Sequence, residues 1–304
     1  MKRFFKAIKL LGNPSKLIVR LNEYGFSKLF PDRFFLKCAY RYMFKKPLNL
    51  EHPETFNEKL QWLKLYNRKP EYTRMVDKYE AKNYVADIIG EEYIIPTLGV
   101  WDDFEDIDFD TLPNQFVLKC THDSGGLVIC RDKSLFNKEA AKKKINKALK
   151  RQYYWVWREW PYKNVKPRII AEKYMEDPAH SEQTSLLVYK IMTFNGEPKI
   201  IQTIQGDKTR DEAIDYFDTE WNLLDMRQNF PNSDKPLNRP VSLEKMILLS
   251  KKMSKNTPFL RVDFYEIDGK PYFSEFTFFS DAGLATFHPE KWDKEIGNWI
   301  NLKV

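Results

Sequence analysis

A chain of 304 residues, 42% hydrophobic and 15% aromatic, carries enough apolar surface for a sizeable core in one or two domains, which excludes a disordered or low-complexity protein. Fifty Lys and Arg against 43 Asp and Glu leave a charge of +7, too dilute for a dedicated nucleic-acid binder but sufficient for anionic ligands or a membrane surface. The three cysteines, Cys38, Cys120 and Cys130, form no CxxC and no even framework, so reduced thiols are expected, and the four scattered histidines lack zinc-ligand spacing. Without a run of about 18 apolar residues or a signal-peptide core, the chain reads as soluble and cytoplasmic.

Residues 1–75 read as an N-terminal helical region. In its first turns Phe4, Phe5, Ile8 and Leu11 follow helical spacing with lysines opposite, a basic amphipathic helix that either lies on an anionic membrane surface or packs on its own domain. Thr55-Phe-Asn-Glu58 is a capping box before the stripe Leu60, Trp62, Leu63 and Tyr66. Asp77 and Glu80 repeat the logic before Ala81, Tyr84, Val85 and Ile88, with Gly90 as the stop. That puts Lys78 in a first turn, where the helix dipole disfavours a cation; it is either an exposed surface lysine or one that answers to a phosphate.

Tyr93 to Pro96 and Leu98 to Trp101 read as a short strand pair leading to a solvated acidic loop, Asp102 to Asp110. Phe116 to Cys130 reads as strand, Ser-Gly-Gly turn and strand. Lys119 at the strand end, followed by Ser124, Gly125 and Gly126, is either an ordinary hairpin or a way to cover phosphates with backbone N–H groups and one charge. A basic helix, Lys138 to Arg151, runs into the aromatics Tyr153 to Trp160, which stack on a ligand or pack on the core. Arg168 to Met175 is a further strand containing Glu172. Lys190 sits inside an apolar strand of a hairpin that turns at Asn195-Gly196, where it either snorkels outward or faces a ligand. Phe217 to Met226 reads as strand and turn, and Ser242 as the cap of a helix with Leu243, Met246, Ile247, Ser250 and Met253 on one side.

Two alternating runs then meet at Asp268-Gly269, a strong hairpin signal. A strict two-residue loop would set Asp263 and Glu275 on opposite faces. A three-residue turn, Asp268 to Lys270, pairs Asp263 with Glu275 and Arg261 with Thr277 on one face, leaving Val262, Phe264, Ser274 and Phe276 for the core. Two carboxylates opposite one another across strands repel unless a cation lies between them, so this face is either solvated or a Mg²⁺ site.

The ordered set resembles the ATP-grasp superfamily. More narrowly, Thr55 to Trp62, Phe116 to Gly125 and Ser274 to Phe278 are similar to its TupA-like, teichuronopeptide-biosynthesis branch, over about residues 30–290. The resemblance implies an α+β ATP-grasp fold: a smaller subdomain over 76–176 with a glycine-loop lid, and a larger one over 177–304 carrying the metal. It implies ATP and Mg²⁺ as cofactors, with Lys78, Lys119 and Lys190 on the phosphates and Ser124, Gly125 and Gly126 as lid. Glu172 would receive the adenine amino group, and the backbone around Tyr174 and Met175 would meet the ring edge. Asp263 and Glu275 would carry the metal. Thr277 stands where many members place Asn, and its hydroxyl can still ligate. Arg261, with Lys119, would stabilise charge during transfer. The implied reaction is carboxylate–amine ligation in surface-polysaccharide assembly, joining an amino acid or peptide to a glycan or uronic-acid carboxyl, with no nucleic-acid partner. The competing readings are a glycosyltransferase, for which only Asp106-Ile-Asp108 and Asp108-Phe-Asp110 offer an Asp-x-Asp pattern, and a non-catalytic glycan-binding relative.

Overall fold

The computed structural model describes residues 14–23, 25–178, 186–206 and 212–302. The basic amphipathic helix, and with it the membrane contact expected of residues 1–11, lies outside them.

Helices α1 (Pro14–Glu23) and α2 (Asp32–Phe44) bury Val19, Phe35, Leu36, Ala39 and Tyr40 in a small cluster together with Leu48, Leu50, Ala282 and Leu284. Helix α3 (Phe56–Tyr66) starts at the capping box: Thr55 Oγ1 accepts from the Glu58 N–H at 3.3 Å, and Glu58 Oε2 accepts from the Thr55 N–H at 3.2 Å. Helices α4 (Glu71–Val76) and α5 (Glu80–Ile89) follow. The second cap differs from expectation, because Arg168 draws both acids, Asp77 at 2.8 Å and Glu80 at 3.0 Å. Asp77 still accepts the N–H groups of Tyr79 and Glu80, so Lys78 lies in the turn before α5.

Strands β1 (Thr97–Trp101), β2 (Phe116–Cys120), β3 (Leu127–Cys130) and β4 (Ile169–Lys173) form an antiparallel sheet in the order β1-β4-β2-β3. Residues 93–96 do not pair with β1 as expected. Pro96 has no N–H for a ladder, Ile94 bridges to Phe273 instead, and β1 finds β4. Helix α6 (Lys138–Leu149) covers this sheet with Ala141, Ile145 and Ala148, and the short α7 (Tyr154–Trp157) leads back towards the larger sheet.

That sheet has the order β10-β9-β5-β6-β7, all antiparallel, from β5 (Val188–Phe194), β6 (Glu197–Gln205), β7 (Ala213–Phe217), β9 (Phe259–Ile267) and β10 (Lys270–Thr277). Strand β7 ends where the sequence reading began it: Asp215, fully buried in its middle, hides the apolar alternation. Strand β8 (Arg227–Gln228) pairs with β11 (Phe287–His288), and α8 (Leu243–Met253) and α9 (Lys291–Trp299) complete the chain. Ser242 precedes α8 without capping it; its hydroxyl is spent on Glu266 of β9. Phe56, Leu60, Tyr72 and Val85 share one core with Ile191, Phe194, Phe259 and Phe276, so the helices over 56–89 pack on the larger sheet.

The β9–β10 hairpin reaches its pairing by an unexpected route. Asp268 and Gly269, with φ of 50° and 69°, form a two-residue turn that pairs Ile267 with Lys270, not the three-residue turn expected. The register then shifts between Phe273 and Glu275, where Ser274 is the extra residue of a bulge. Glu275 therefore stands opposite Asp263 and Thr277 opposite Arg261, while Phe273 and not Ser274 joins Phe264 in the core.

Candidate functional site

Arg261 and Asp263 are two residues apart on β9, hence on one face, and both are buried. The guanidinium donates from Nε to Asp263 Oδ1 at 2.7 Å and from Nη2 to Asp263 Oδ2 at 2.8 Å, to Thr277 Oγ1 at 3.0 Å, and from Nη1 to Ser280 Oγ at 3.2 Å. Nη2 also lies 4.0 Å from Glu275 Oε1, so both carboxylates converge on one nitrogen. Lys190, opposite Asp263 on β5, approaches it at 3.7 Å, and Lys78 approaches Glu275 at 3.7 Å. Desolvation pushes the Glu275 carboxyl up, but Lys78, Arg261, Lys190 and Lys119 outweigh it and hold the group below its ordinary value.

On the facing sheet, Glu172 of β4 has one oxygen 2.6 Å from Lys82 and the other 2.5 Å from Lys119 of β2. Burial alone would raise its pKa, yet the two lysines bring it down to about 2. The lysines respond oppositely. Desolvation lowers Lys82 more than Glu172 restores, whereas for Lys119 the attraction of Glu172, with Tyr265 and Glu275 behind it, overcomes burial and raises it. Glu172, assigned by resemblance to the adenine amino group, thus has both oxygens on lysines. Tyr174 and Met175 follow β4 directly and are half-buried, with Arg131 6.0 Å above the Tyr174 ring.

The glycine loop joins β2 to β3 within one sheet and is tied to the turn before α5. Lys78 donates its backbone N–H to the Thr121 carbonyl at 3.0 Å and its ammonium to the Asp123 carbonyl at 2.9 Å. Gly125 and Gly126, the N–H groups expected to cover phosphates, donate to the buried Asp123 carboxylate at 3.1 and 2.9 Å, while Ser124 is exposed. A side chain at Gly126 would place Cβ 2.5 Å from Cys120 Sγ, so the loop can seat only glycine there.

Lys78, Lys82, Lys119, Lys190 and Arg261 thus surround Glu172, Asp263 and Glu275, five cations to three carboxylates in this set. Among the described residues no group of three His, Cys, Asp or Glu could hold a metal by itself. Asp263 and Glu275 nevertheless fit Mg²⁺, which takes one or two carboxylates and completes its shell with phosphate and water. Each carboxylate oxygen here keeps a lone pair beyond those its cations use. Asp106, Asp108 and Asp110 are all exposed, and Asp108 accepts the Asp110 N–H at 3.0 Å and, through its carbonyl, the Thr111 hydroxyl at 2.8 Å within its own loop.

A family model described as TupA-like ATPgrasp matches residues 58–301. The chain belongs to the TupA-like ATP-grasp family. Its two antiparallel sheets with flanking helices are the α+β ATP-grasp fold, and the match takes in both sheets and every cation of the cleft. No curated protein matches the chain by sequence. Among solved structures it is similar to D-alanine–D-alanine ligase from Bacillus anthracis complexed with ATP, at 17% identity and a TM-score of 0.38 over 67% of this chain and 53% of that one. The corresponding ligase from Helicobacter pylori gives 14% and 0.45 over 83% and 68%. L-amino acid ligase from Bacillus licheniformis gives 12% and 0.44 over 84% and 55%. The chain spans little more than half the length of the first of these ligases.

In this ATP-grasp chain, sequence reasoning missed Lys82, although a cation beside Ala81 and Val85 on an otherwise apolar stripe was a visible signal. It also missed Gln61 and Lys64 of α3. Gln61 donates to the carbonyls of Ala282 and Gly283 at 3.0 and 2.7 Å, and the fully buried Lys64 donates to Ala282 at 2.8 Å, fixing the turn that brings Ser280 to Arg261. No local pattern announces a contact 218 residues away in sequence.

Proposed function

We propose that the chain is an ATP-dependent carboxylate–amine ligase of surface-polysaccharide assembly, joining an amino acid or peptide to a glycan or uronic-acid carboxyl. The observation that carries this reading is the surplus of cations around a facing carboxylate pair, an arrangement suited to phosphate and offering no protein nucleophile. The nucleotide would lie between the sheets, with residues 76–176 as the smaller subdomain and 177–304 as the larger. Lys78, Lys119 and Lys190 would meet its phosphates, the backbone of Tyr174 and Met175 its adenine edge, and Ser124 to Gly126 would close over it. Glu172 would orient Lys119 and Lys82. Asp263 and Glu275, with Thr277, would hold Mg²⁺, which when bound neutralises charge on the phosphates. Arg261 would stabilise the phosphoryl group as a substrate carboxylate oxygen attacks it, giving an acyl phosphate and ADP.

Among the described residues no helix is long and apolar enough to cross a membrane, and a cytoplasmic site, with the basic N-terminus against the membrane surface, belongs to the same proposal. Calorimetric titration with a non-hydrolysable ATP analogue, with and without Mg²⁺, tests it. Metal-dependent binding weakened by Asp263→Asn and Glu275→Gln is expected. Binding of a sugar nucleotide and not the analogue would overturn it in favour of glycosyl transfer.

A further inference from the structure

Residues 26–41 present an apolar ridge beside a row of cations, and none of the residues assigned to the nucleotide or metal lies among them. The 3-10 turn Phe26–Leu29 follows α1. Residues three apart eclipse in such a turn, so Phe26, 52% exposed, and Leu29, 71% exposed, project together. Phe30 joins them to α2, its ring 6.1 Å from that of Phe34, which is 47% exposed. Along α2 the exposed Arg33, Lys37 and Arg41 recur every fourth residue with Phe34 beside them, opposite the buried Phe35, Leu36, Ala39 and Tyr40. Lys28, also exposed, adds a fourth cation on the turn. The single acid of the stretch, Asp32, is turned inward. Its Oδ2 accepts from Arg68 at 2.8 Å and from the Tyr154 hydroxyl at 2.5 Å, and Arg158 Nε lies 3.2 Å from its Oδ1. The outer face is therefore positive as well as apolar.

Two features tie this face to the candidate site. The buried side of α2 packs with Ala282 and Leu284, next to the Ser280 hydroxyl that accepts from Arg261. A cleft of about 500 Å³ is lined by Gly25 and Lys28 and also by Lys150, Arg151 and Trp155. Arg151 Nη1 lies 4.0 Å from Asp123 Oδ2 of the glycine loop, so the cleft carries the positive surface from the turn to that loop.

We propose that residues 26–41 are a docking face for an anionic bilayer surface: Phe26, Leu29 and Phe34 enter the interface while Lys28, Arg33, Lys37 and Arg41 meet lipid phosphates. A bilayer sets its anionic headgroups directly above its acyl chains, which matches cations flanking an apolar ridge. A second copy of the chain does not match, because a two-fold contact through this face would bring the same four cations together. The face is separate from the basic segment 1–11, and the inference does not depend on the ligase reading. Docked in this way, the chain would hold its cleft and glycine loop at a fixed orientation to the membrane.

The test is cosedimentation of the full chain with vesicles of equal parts phosphatidylglycerol and phosphatidylcholine, and with phosphatidylcholine vesicles as the neutral control. Binding to the mixed vesicles, weakened by added salt, and none to the control is expected. Lys37→Gln with Arg41→Gln should lower the affinity on the order of 25-fold, about fivefold per charge. Phe26→Ser with Leu29→Ser should lower it roughly tenfold or more. Lys37 and Arg41 are exposed, so their double variant reports on the face even if serines at 26 and 29 disturb the turn. Absence of binding, equal binding to both vesicles, or wild-type affinity in both double variants overturns the proposal, the last assigning any membrane contact to residues 1–11. A dimer in sedimentation equilibrium that either double variant dissociates also overturns it, in favour of a second copy on this face. None of these outcomes bears on nucleotide binding, which the calorimetry above reads separately.

Discussion

Replacing Glu172 by Gln removes the charge that lets buried Lys82 and half-buried Lys119 coexist. The Glu172 pKa falls from an ordinary 4.5 to about 2, worth roughly 3 kcal/mol of stability at neutral pH. Because the folded value lies below the unfolded one, this contribution is complete above about pH 4.5 and disappears as the pH falls through about 2. Loss of one partner from a buried pair costs about 3–5 kcal/mol elsewhere, since the other charge stays desolvated. Lys82 softens the loss here, because burial already favours its neutral form. Urea titration at pH 7 should therefore show Glu172→Gln less stable by about 3 kcal/mol with an unchanged m-value, and the deficit should shrink in acid as wild-type Glu172 is itself protonated. Adding Lys82→Met should recover part of it, through removal of the stranded cation. A variant within about 1 kcal/mol of wild type at pH 7 would refute the reasoning.

Lys78→Met and Lys119→Met should each weaken binding of an ATP analogue about tenfold or more, the worth of one charge-assisted contact, and weaken binding of adenosine far less; calorimetry with both ligands separates the phosphate contribution. Gly126→Ala should destabilise by about 1–3 kcal/mol in urea, because its Cβ would lie 2.5 Å from Cys120 Sγ and 2.8 Å from Ala148 Cβ. Gly125→Ala, whose Cβ would meet the end of Arg151 at 3.4 Å and Asp123 Oδ2 at 3.8 Å, should be nearly neutral, and equal effects of the two would contradict the packing described.

Much of this was legible without coordinates. The capping box at Thr55, the Asn195-Gly196 turn and the Asp268-Gly269 turn are local rules, settled by a side chain reaching three residues or by two left-handed residues, and they appear where the sequence put them. The pairing of Asp263 with Glu275 was legible in outcome but not in cause. The sequence reached that pairing only through a three-residue turn, yet the turn has two residues and a bulge at Ser274 supplies the extra one. Where a residue's partners lie far along the chain, local signals misled. Ser242 looks like a cap and serves Glu266, and Asp77 and Glu80 look like a box and are drawn to Arg168.

By itself the sequence determined the elements, the alternating faces and the inventory of lysines, because periodicity and capping act over one or two turns. Only the tertiary structure decided which charges meet. Glu172 joins Lys82 to Lys119, and Arg261 joins Asp263 to Ser280. Glu159, at the end of an aromatic connector, is buried within the electrostatic reach of Lys64 and Arg261. The reason is physical: the energy of a charge depends on the solvent and partners that the whole fold leaves around it. Those are set by the packing of two sheets whose strands lie scores of residues apart.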